Sequence, residues 1–330
     1  MNEITGGELL MEVRGVKKWF PVRRGPFGKN KGYVKAVDDI NLTINRGDTL
    51  ALVGESGCGK STLARVLLRL IEPTGGEVLF RGRDIAGLPP AALRAVRRDM
   101  QIIFQDPYAS LNPRMRVRDI LAEPYLIHGL ADVRQARKKA EALLDLVGLN
   151  QDSMGKFPHE FSGGQRQRIC IARALAVEPK LIVCDECVSA LDVSIQAQII
   201  NLLMRLQKQL DLTLVFISHD LRVVRHISSH VAVLYLGKIV EHAPKQVLFE
   251  SPRHPYTKAL LSAVPVADPD AERGRTVLQG DLPSPINLPG GCSFHTRCPQ
   301  ASPDCAKDAP ALLEAAPGHL CRCPYTQGNP

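Results

Sequence analysis

The stretch TLALVGESGCGKSTLARVLLRL, residues 49–70, constrains the fold of this chain more than any other. Thr49–Val53 is a short, unbroken apolar run, the pattern of a buried parallel strand. Further on, Leu63, Val66, Leu67 and Leu70 recur at i, i+3, i+4 and i+7, which is one face of a helix. Between them Gly54, Glu55, Ser56, Gly57, Cys58, Gly59, Lys60 and Ser61 fit G-x-x-x-x-G-K-[ST]. Glycines there let the backbone wrap a phosphate closely, and loop N–H groups and the helix N-terminus direct positive dipoles at it. Lys60 then reaches the β- and γ-phosphates of a nucleotide, and the Ser61 hydroxyl lies on Mg²⁺. The bland alternative is a glycine-rich turn with a chance lysine; the flanking strand and helix argue against it.

The remaining pattern surrounds this unit with a second α/β block. Ala36–Ile44 alternates like a half-buried strand and ends in the turn Asn45-Arg46-Gly47-Asp48. From about Asp106 to Glu160 the pattern is helical, most clearly over residues 133–149. Residues 169–177 read as a helix, Leu181–Asp185 as a buried strand and residues 212–218 as another. Residues 193–207 read as a helix with Ile195, Ile199, Leu202, Leu203 and Leu206 on one face. Two α/β blocks around a helical insert predict a parallel sheet with a helical subdomain, about residues 106–160, inserted between its strands. After about Ser251 proline becomes frequent and apolar periodicity fades, so residues 251–330 read as a small, irregular domain without a large core of its own.

Composition narrows the setting. No apolar run approaches the roughly 20 residues that span a bilayer, and the acidic N-terminal stretch has no basic flank followed by an apolar core. A cytosolic protein is expected, in which thiols stay reduced. The net charge of +8 reads as a solvated basic surface, because no basic patch interleaved with aromatics points to nucleic acid.

Two further motifs carry chemistry. Leu181–Glu186 ends a buried strand with two carboxylates, so that Asp185 can hold the hydration shell of Mg²⁺ and Glu186 can polarise an attacking water. Phe161–Arg168, FSGGQRQR, opens a helix with Ser162, Gly163, Gly164 and Gln165. A hydroxyl and several N–H groups there form a second anion cradle, which makes sense if it serves a nucleotide held by another chain.

Taken in order, GESGCGKST (ending at Thr62), Gln105 in IIFQDP, FSGGQ, LIVCDE, the loop Ser189-Ala190-Leu191-Asp192 and His219 in FISHD resemble the motifs of an ATP-binding-cassette (ABC) ATPase. The resemblance implies a P-loop NTPase, with residues 1–250 as the ATPase domain, and a head-to-tail dimer that sandwiches two ATP molecules. Lys60, Ser61, Gln105, Asp185, Glu186 and His219 of one subunit would face Ser162, Gly164 and Gln165 of the other. His219 would contact the γ-phosphate, Gln105 would approach Mg²⁺ and the attacking water, and Asp192 would help join the two sites. Phe20, with Trp19 beside it, fits the aromatic that stacks on adenine. Cys187 stands where the family pattern has proline, which frees a backbone N–H and loosens φ there.

QDPYASLNPRM, the basic insert over residues 21–39, SPRHPYTKALLSAVP and GCSFHTRCP resemble the dipeptide and oligopeptide importers of that family. This implies a second, non-identical ATPase subunit, two transmembrane permease subunits and a solute-binding protein, at the cytoplasmic face of the cell membrane. The competing class is a soluble ABC ATPase acting on nucleic acid or ribosomes. Such proteins usually carry two cassettes, a long coiled coil or zinc insertions, and none occurs here.

Five of the nine cysteines fall in the tail. Cys292, Cys298 and Cys305 are spaced C-x5-C-x6-C, and Cys323 follows 18 residues later. Four thiolates suit Zn²⁺ or an iron–sulfur cluster, and the spacing lacks the tight C-x2-C knuckles of common zinc sites. Similar importer ATPases carry a tail that can hold a [4Fe–4S] cluster, in which Cys323, not Cys321, takes the fourth position.

Overall fold

The computed structural model describes residues 7–23, 30–263 and 280–326. Part of the basic insert, residues 24–29, lies outside them. In chain order the elements begin with β1 (Leu9–Arg23), β2 (Asn30–Asn45), β3 (Thr49–Val53), α1 (Lys60–Leu67), β4 (Gly75–Phe80) and β5 (Arg83–Asp84). There follow α2 (Pro90–Asp99), β6 (Met100–Ile103), α3 (Pro107–Ser110), α4 (Val117–Ile127), α5 (Val133–Leu146), α6 (Gly163–Leu175), β7 (Leu181–Asp185), α7 (Val193–Leu210) and β8 (Thr213–Ile217). The chain continues with α8 (Leu221–Ile227), β9 (His230–Tyr235), β10 (Lys238–Pro244), α9 (Lys245–Glu250), α10 (Pro255–Ser262), β11 (Leu313–Ala316) and β12 (His319–Cys321).

These elements form two compact units. The first comprises Met1–Asn45, Thr49–Gly87 and Ser218–Pro330; the second comprises Arg46–Asp48 and Leu88–Ile217. In the first unit β3 runs parallel to β9, and β10 returns antiparallel from β9. Every residue of β3 is buried, as its unbroken apolar run requires. A separate antiparallel sheet has the order β2-β1-β4-β5. Only β2 had a readable alternation; β1 and β4 become strands because each finds a partner. In the second unit β6, β7 and β8 run parallel, and β7 and β8 are buried throughout.

The helices follow their apolar periods with instructive exceptions. On α7 Ile199, Leu202, Leu203 and Leu206 are buried as expected, with Ile200 added, whereas Ile195 is half-buried. Helix α1 stops at Leu67, so the expected face ends there and Leu70 is exposed. Backbone bonds from Leu70 and Ile71 to the Arg65 carbonyl close the turn, and Arg69 adopts a left-handed φ of 53°. A capping box made by Asp132 and Gln135 starts α5.

The tail is less independent than its composition suggests. β12 pairs antiparallel with β10, Glu241 opposite Cys321, and β11 pairs with β12, so the last strands extend the sheet of the first unit. A fully buried carboxylate holds this junction. Glu241 accepts hydrogen bonds from the backbone N–H groups of Arg253 (2.7 Å) and His254 (3.0 Å), and from His319 Nε2 (2.6 Å). Burial pushes its carboxyl up, but the hydrogen-bonding groups around it, His319 foremost, then Thr257 and the two N–H groups, outweigh this and hold it below the ordinary value.

Because the folded-state value is depressed, this stabilisation is present above the ordinary carboxylate range and is lost as pH falls through the folded value. Glu241→Ala is expected to cost about 3 kcal/mol at pH 7, since it strands buried donors. Thermal unfolding should show that cost shrinking as pH approaches 4; an equal cost at both pH values would contradict the arrangement.

Candidate functional site

In the first unit the phosphate-binding loop is built by close backbone approach. A Cβ on Gly54 would lie 2.3 Å from the Leu234 carbonyl oxygen, and one on Gly59 2.1 Å from that of Ala36. Both glycines also have φ values that side chains avoid, +149° and +109°. The Gly237 N–H donates to the Cys58 carbonyl at 2.9 Å, and the Asp38 N–H to the Gly237 carbonyl at 2.8 Å. These bonds tie the loop to the β9–β10 turn and to β2. Lys60 is 5 % exposed, and its Nζ donates to the carbonyls of Gly54 (2.8 Å) and Glu55 (3.0 Å). Ser61 and Thr62 follow on α1, half-buried. Ser56 and Gly57 are exposed, while Cys58 is buried, which pushes its thiol up.

The same unit holds the aromatic candidates and His219. Trp19 is committed: its Nε1 donates to Asp38 at 3.2 Å, and Lys35 Nζ lies 4.8 Å from its ring centroid. Phe20 is 38 % exposed, and among the described residues Lys18 Nζ lies over its ring at 5.0 Å from the centroid. His219 is exposed, one residue before Asp220, which caps α8 by accepting from the Arg222 N–H.

In the second unit Asp185 ends β7, buried at 5 % exposure. Glu186 then turns the chain with a left-handed φ of 49°, its N–H donating to the Ile217 carbonyl at 3.1 Å. Its own carbonyl accepts from the Ser189 N–H (3.1 Å) and hydroxyl (2.9 Å), which shapes the loop through Ala190, Leu191 and Asp192. Cys187 is buried there, and its hydrogen bond, followed by burial, pushes the Cys184 thiol up. Gln105 is exposed just past β6.

Ser162 and Gln165 form a capping box at the start of α6. The Gln165 N–H donates to Ser162 Oγ (3.3 Å), and the Ser162 N–H donates to Gln165 Oε1 (3.0 Å). The expected anion cradle is therefore also the helix's own cap, which the S-x-x-Q spacing spells out. Gly164 has a second reason to be glycine: a Cβ there would lie 2.5 Å from Ile195 Cγ2 on α7. Gly163 would approach Leu191 Cδ2 at 3.4 Å. Gly164→Ala is expected to destabilise the protein by about 1–3 kcal/mol through overpacking, and adding Ile195→Ala should recover part of the loss. Urea unfolding measures both; a variant as stable as wild type would show that α7 yields freely.

In the tail Cys292, Cys298, Cys305, Cys321 and Cys323 all line one cavity of about 300 Å³. Burial is the first cause of the raised thiols of Cys292, Cys298 and Cys323, and neighbouring cysteines add to it. Cys321, outside the four-cysteine set expected to hold a cluster, is the most buried of the five. Among the described residues no group of three or more His, Cys, Asp or Glu side chains is arranged to hold a metal ion. Among them also, no helix is long and apolar enough to cross a membrane.

Comparison with known proteins agrees with these motifs. Residues 37–189 match the ABC transporter family, and residues 240–305 match the oligopeptide/dipeptide transporter C-terminal region. The oligopeptide transport ATP-binding protein AppF of Bacillus subtilis is 54% identical over 319 residues, covering 96% of this chain and 97% of its own. OppF of Escherichia coli, also an oligopeptide transport ATP-binding protein, is 50% identical over 329 residues, 98% of each chain. A dimeric structure of the ATP-binding cassette MJ0796 bound to ADP and Pi superposes with a TM-score of 0.63 at 28% identity, covering 72% of this chain and 99% of that one. The chain belongs to the ATP-binding-cassette family, in its oligopeptide/dipeptide transporter branch, and is an ATPase.

Proposed function

We propose that this chain is the ATP-hydrolysing subunit of an importer for di- or oligopeptides. The observation that carries the reading is the presence, in one chain, of a cassette and an oligopeptide-transporter C-terminal region, with relatives at about half identity over nearly its whole length. It works with a non-identical sister ATPase, two permease subunits and a solute-binding protein, at the cytoplasmic face of the membrane. The dimeric form of the structural neighbour supports a paired cassette.

In this reading Gly54–Thr62 cradles the phosphates of ATP, Lys60 neutralises their charge and Phe20 stacks on adenine. Ser61, Gln105 and Asp185 would hold Mg²⁺, which would supply charge screening for the transferring phosphoryl group. Glu186 polarises the attacking water, and His219 contacts the γ-phosphate. Ser162, Gly163, Gly164 and Gln165 approach the partner's nucleotide on closure, and Ser189–Asp192 line the junction. Catalysis is then positioning and charge neutralisation completed by closure. Glu186→Gln is expected to keep ATP binding while lowering phosphate release at least a hundredfold, within the usual range for losing a general base (about 10²–10⁴). A wild-type rate in that variant would remove Glu186 from the role.

The cysteine cavity is proposed to hold a [4Fe–4S] cluster on Cys292, Cys298, Cys305 and Cys323. The lining brings five cysteines together beside His254, His295, Asp304 and Asp308, and four thiols suit such a cluster, whose ligands spread over a wider span than those of one Zn²⁺ ion. A cluster there would cross-link the tail. Anaerobic purification should yield brown protein with about four iron and four sulfide per chain. Colourless protein carrying one zinc would sink the assignment.

A further inference from the structure

We propose that Arg297, from the cysteine-bearing tail, is a positioning residue for nucleotide binding that acts through Glu55 of the phosphate loop. Its guanidinium donates two bonds to that carboxylate, Nη1 to Oε2 at 2.8 Å and Nη2 to Oε1 at 3.0 Å. This is the paired geometry that fixes orientation as well as distance. The arginine side chain is only 7 % exposed and the glutamate 27 %, so solvent screens the pair incompletely. Arg297 lies over the Tyr235 ring, 6.0 Å from its centroid, in a cluster of Tyr235, Tyr256 and Phe294. Glu55 is held at its backbone as well. Its N–H donates to the Tyr256 hydroxyl at 2.9 Å, and its carbonyl accepts from Lys60 Nζ at 3.0 Å.

Two consequences follow for a polyphosphate. An unpaired carboxylate at the second position of the phosphate loop would repel the ligand, and Arg297 neutralises it. The fork also fixes the residue whose carbonyl engages Lys60, and so the loop that must present its N–H groups together. Arg297 immediately precedes Cys298 and follows Phe294, and both of those residues line the cysteine cavity. The tail, whose chemistry the phosphate site does not otherwise need, thereby gains a direct mechanical link to it.

The inference rests on the nucleotide site proposed above and is independent of the cargo. The test uses the full chain, a fluorescent ATP analogue with Mg²⁺, and steady-state phosphate release. Arg297→Met keeps the packed stem and removes the fork. It should raise the Kd and KM for nucleotide about tenfold while kcat at saturating ATP changes less than about twofold, and Arg297→Lys should recover part of the affinity. In a Glu55→Gln background the same Arg297→Met change should alter Kd by less than about threefold, because its partner charge is already gone. Thermal unfolding midpoints confirm that each variant is folded. Wild-type affinity in Arg297→Met, or the same loss in both backgrounds, would overturn the inference alone. Failure of the wild-type chain to bind the analogue would overturn the nucleotide site itself, and this inference with it.

Discussion

Backbone pressed against backbone around the phosphate loop is the constraint on which the first unit depends. The loop passes so near the carbonyls of Leu234 and Ala36 that no side chain fits at Gly54 or Gly59. The bonds from Gly237 to Cys58 and from Asp38 to Gly237 then join three segments far apart in sequence. Gly237 itself is crowded, since a Cβ there would lie 2.6 Å from the Lys35 carbonyl. A loop held in this way is organised before a ligand arrives, which is what binding an anion through several N–H groups requires. The strands β3 and β9 beneath it are apolar apart from Thr49, His230 and the hydroxyl of Tyr235, and give it a rigid base.

Charge is handled differently at each depth. Glu241 is fully buried and is stable only because its donors converge on it from backbone and side chain together. Burial instead pushes His242 and His254 down to about 4, so both stay neutral at physiological pH. His254 puts this to use: its Nδ1 accepts from the Tyr256 N–H and caps α10. The exposed pair Asp220 and Arg222 contributes little to stability, because solvent screens it. In the second unit Arg166, buried at the start of α6, donates to the Pro158 carbonyl at 2.7 Å and stacks 3.6 Å over Tyr108. The signature segment is thereby tied to the stretch that follows Gln105.

Much of the candidate site was legible because its signals are local. The strand–loop–helix of residues 49–67 can be read from spacing alone, as can the burial of Ile199, Leu202, Leu203 and Leu206 on α7. The S-x-x-Q cap at Ser162 is equally local, and the same hydroxyl and N–H groups that read as an anion cradle serve it. The antiparallel sheet of β1, β4 and β5 was not legible, since its register is set by partners up to about 70 residues away. Nor was the contact that Gly164 makes room for, Ile195 on another helix, or the bond from Trp19 to Asp38.

By itself the sequence determined the nucleotide loop, the order of the cassette motifs and the thiol-rich tail, because each depends on residues close together in the chain. Tertiary structure alone decided what those parts do to one another. Glu241 and His319 are 78 residues apart and Glu55 and Arg297 are 242 apart, yet each pair closes to hydrogen-bonding distance. No local pattern encodes such meetings, because they follow from how β9, β10 and β12 pair and from what their side chains must then bury. The tail thereby became part of the sheet that carries the phosphate loop, with an arginine held against the loop's own glutamate.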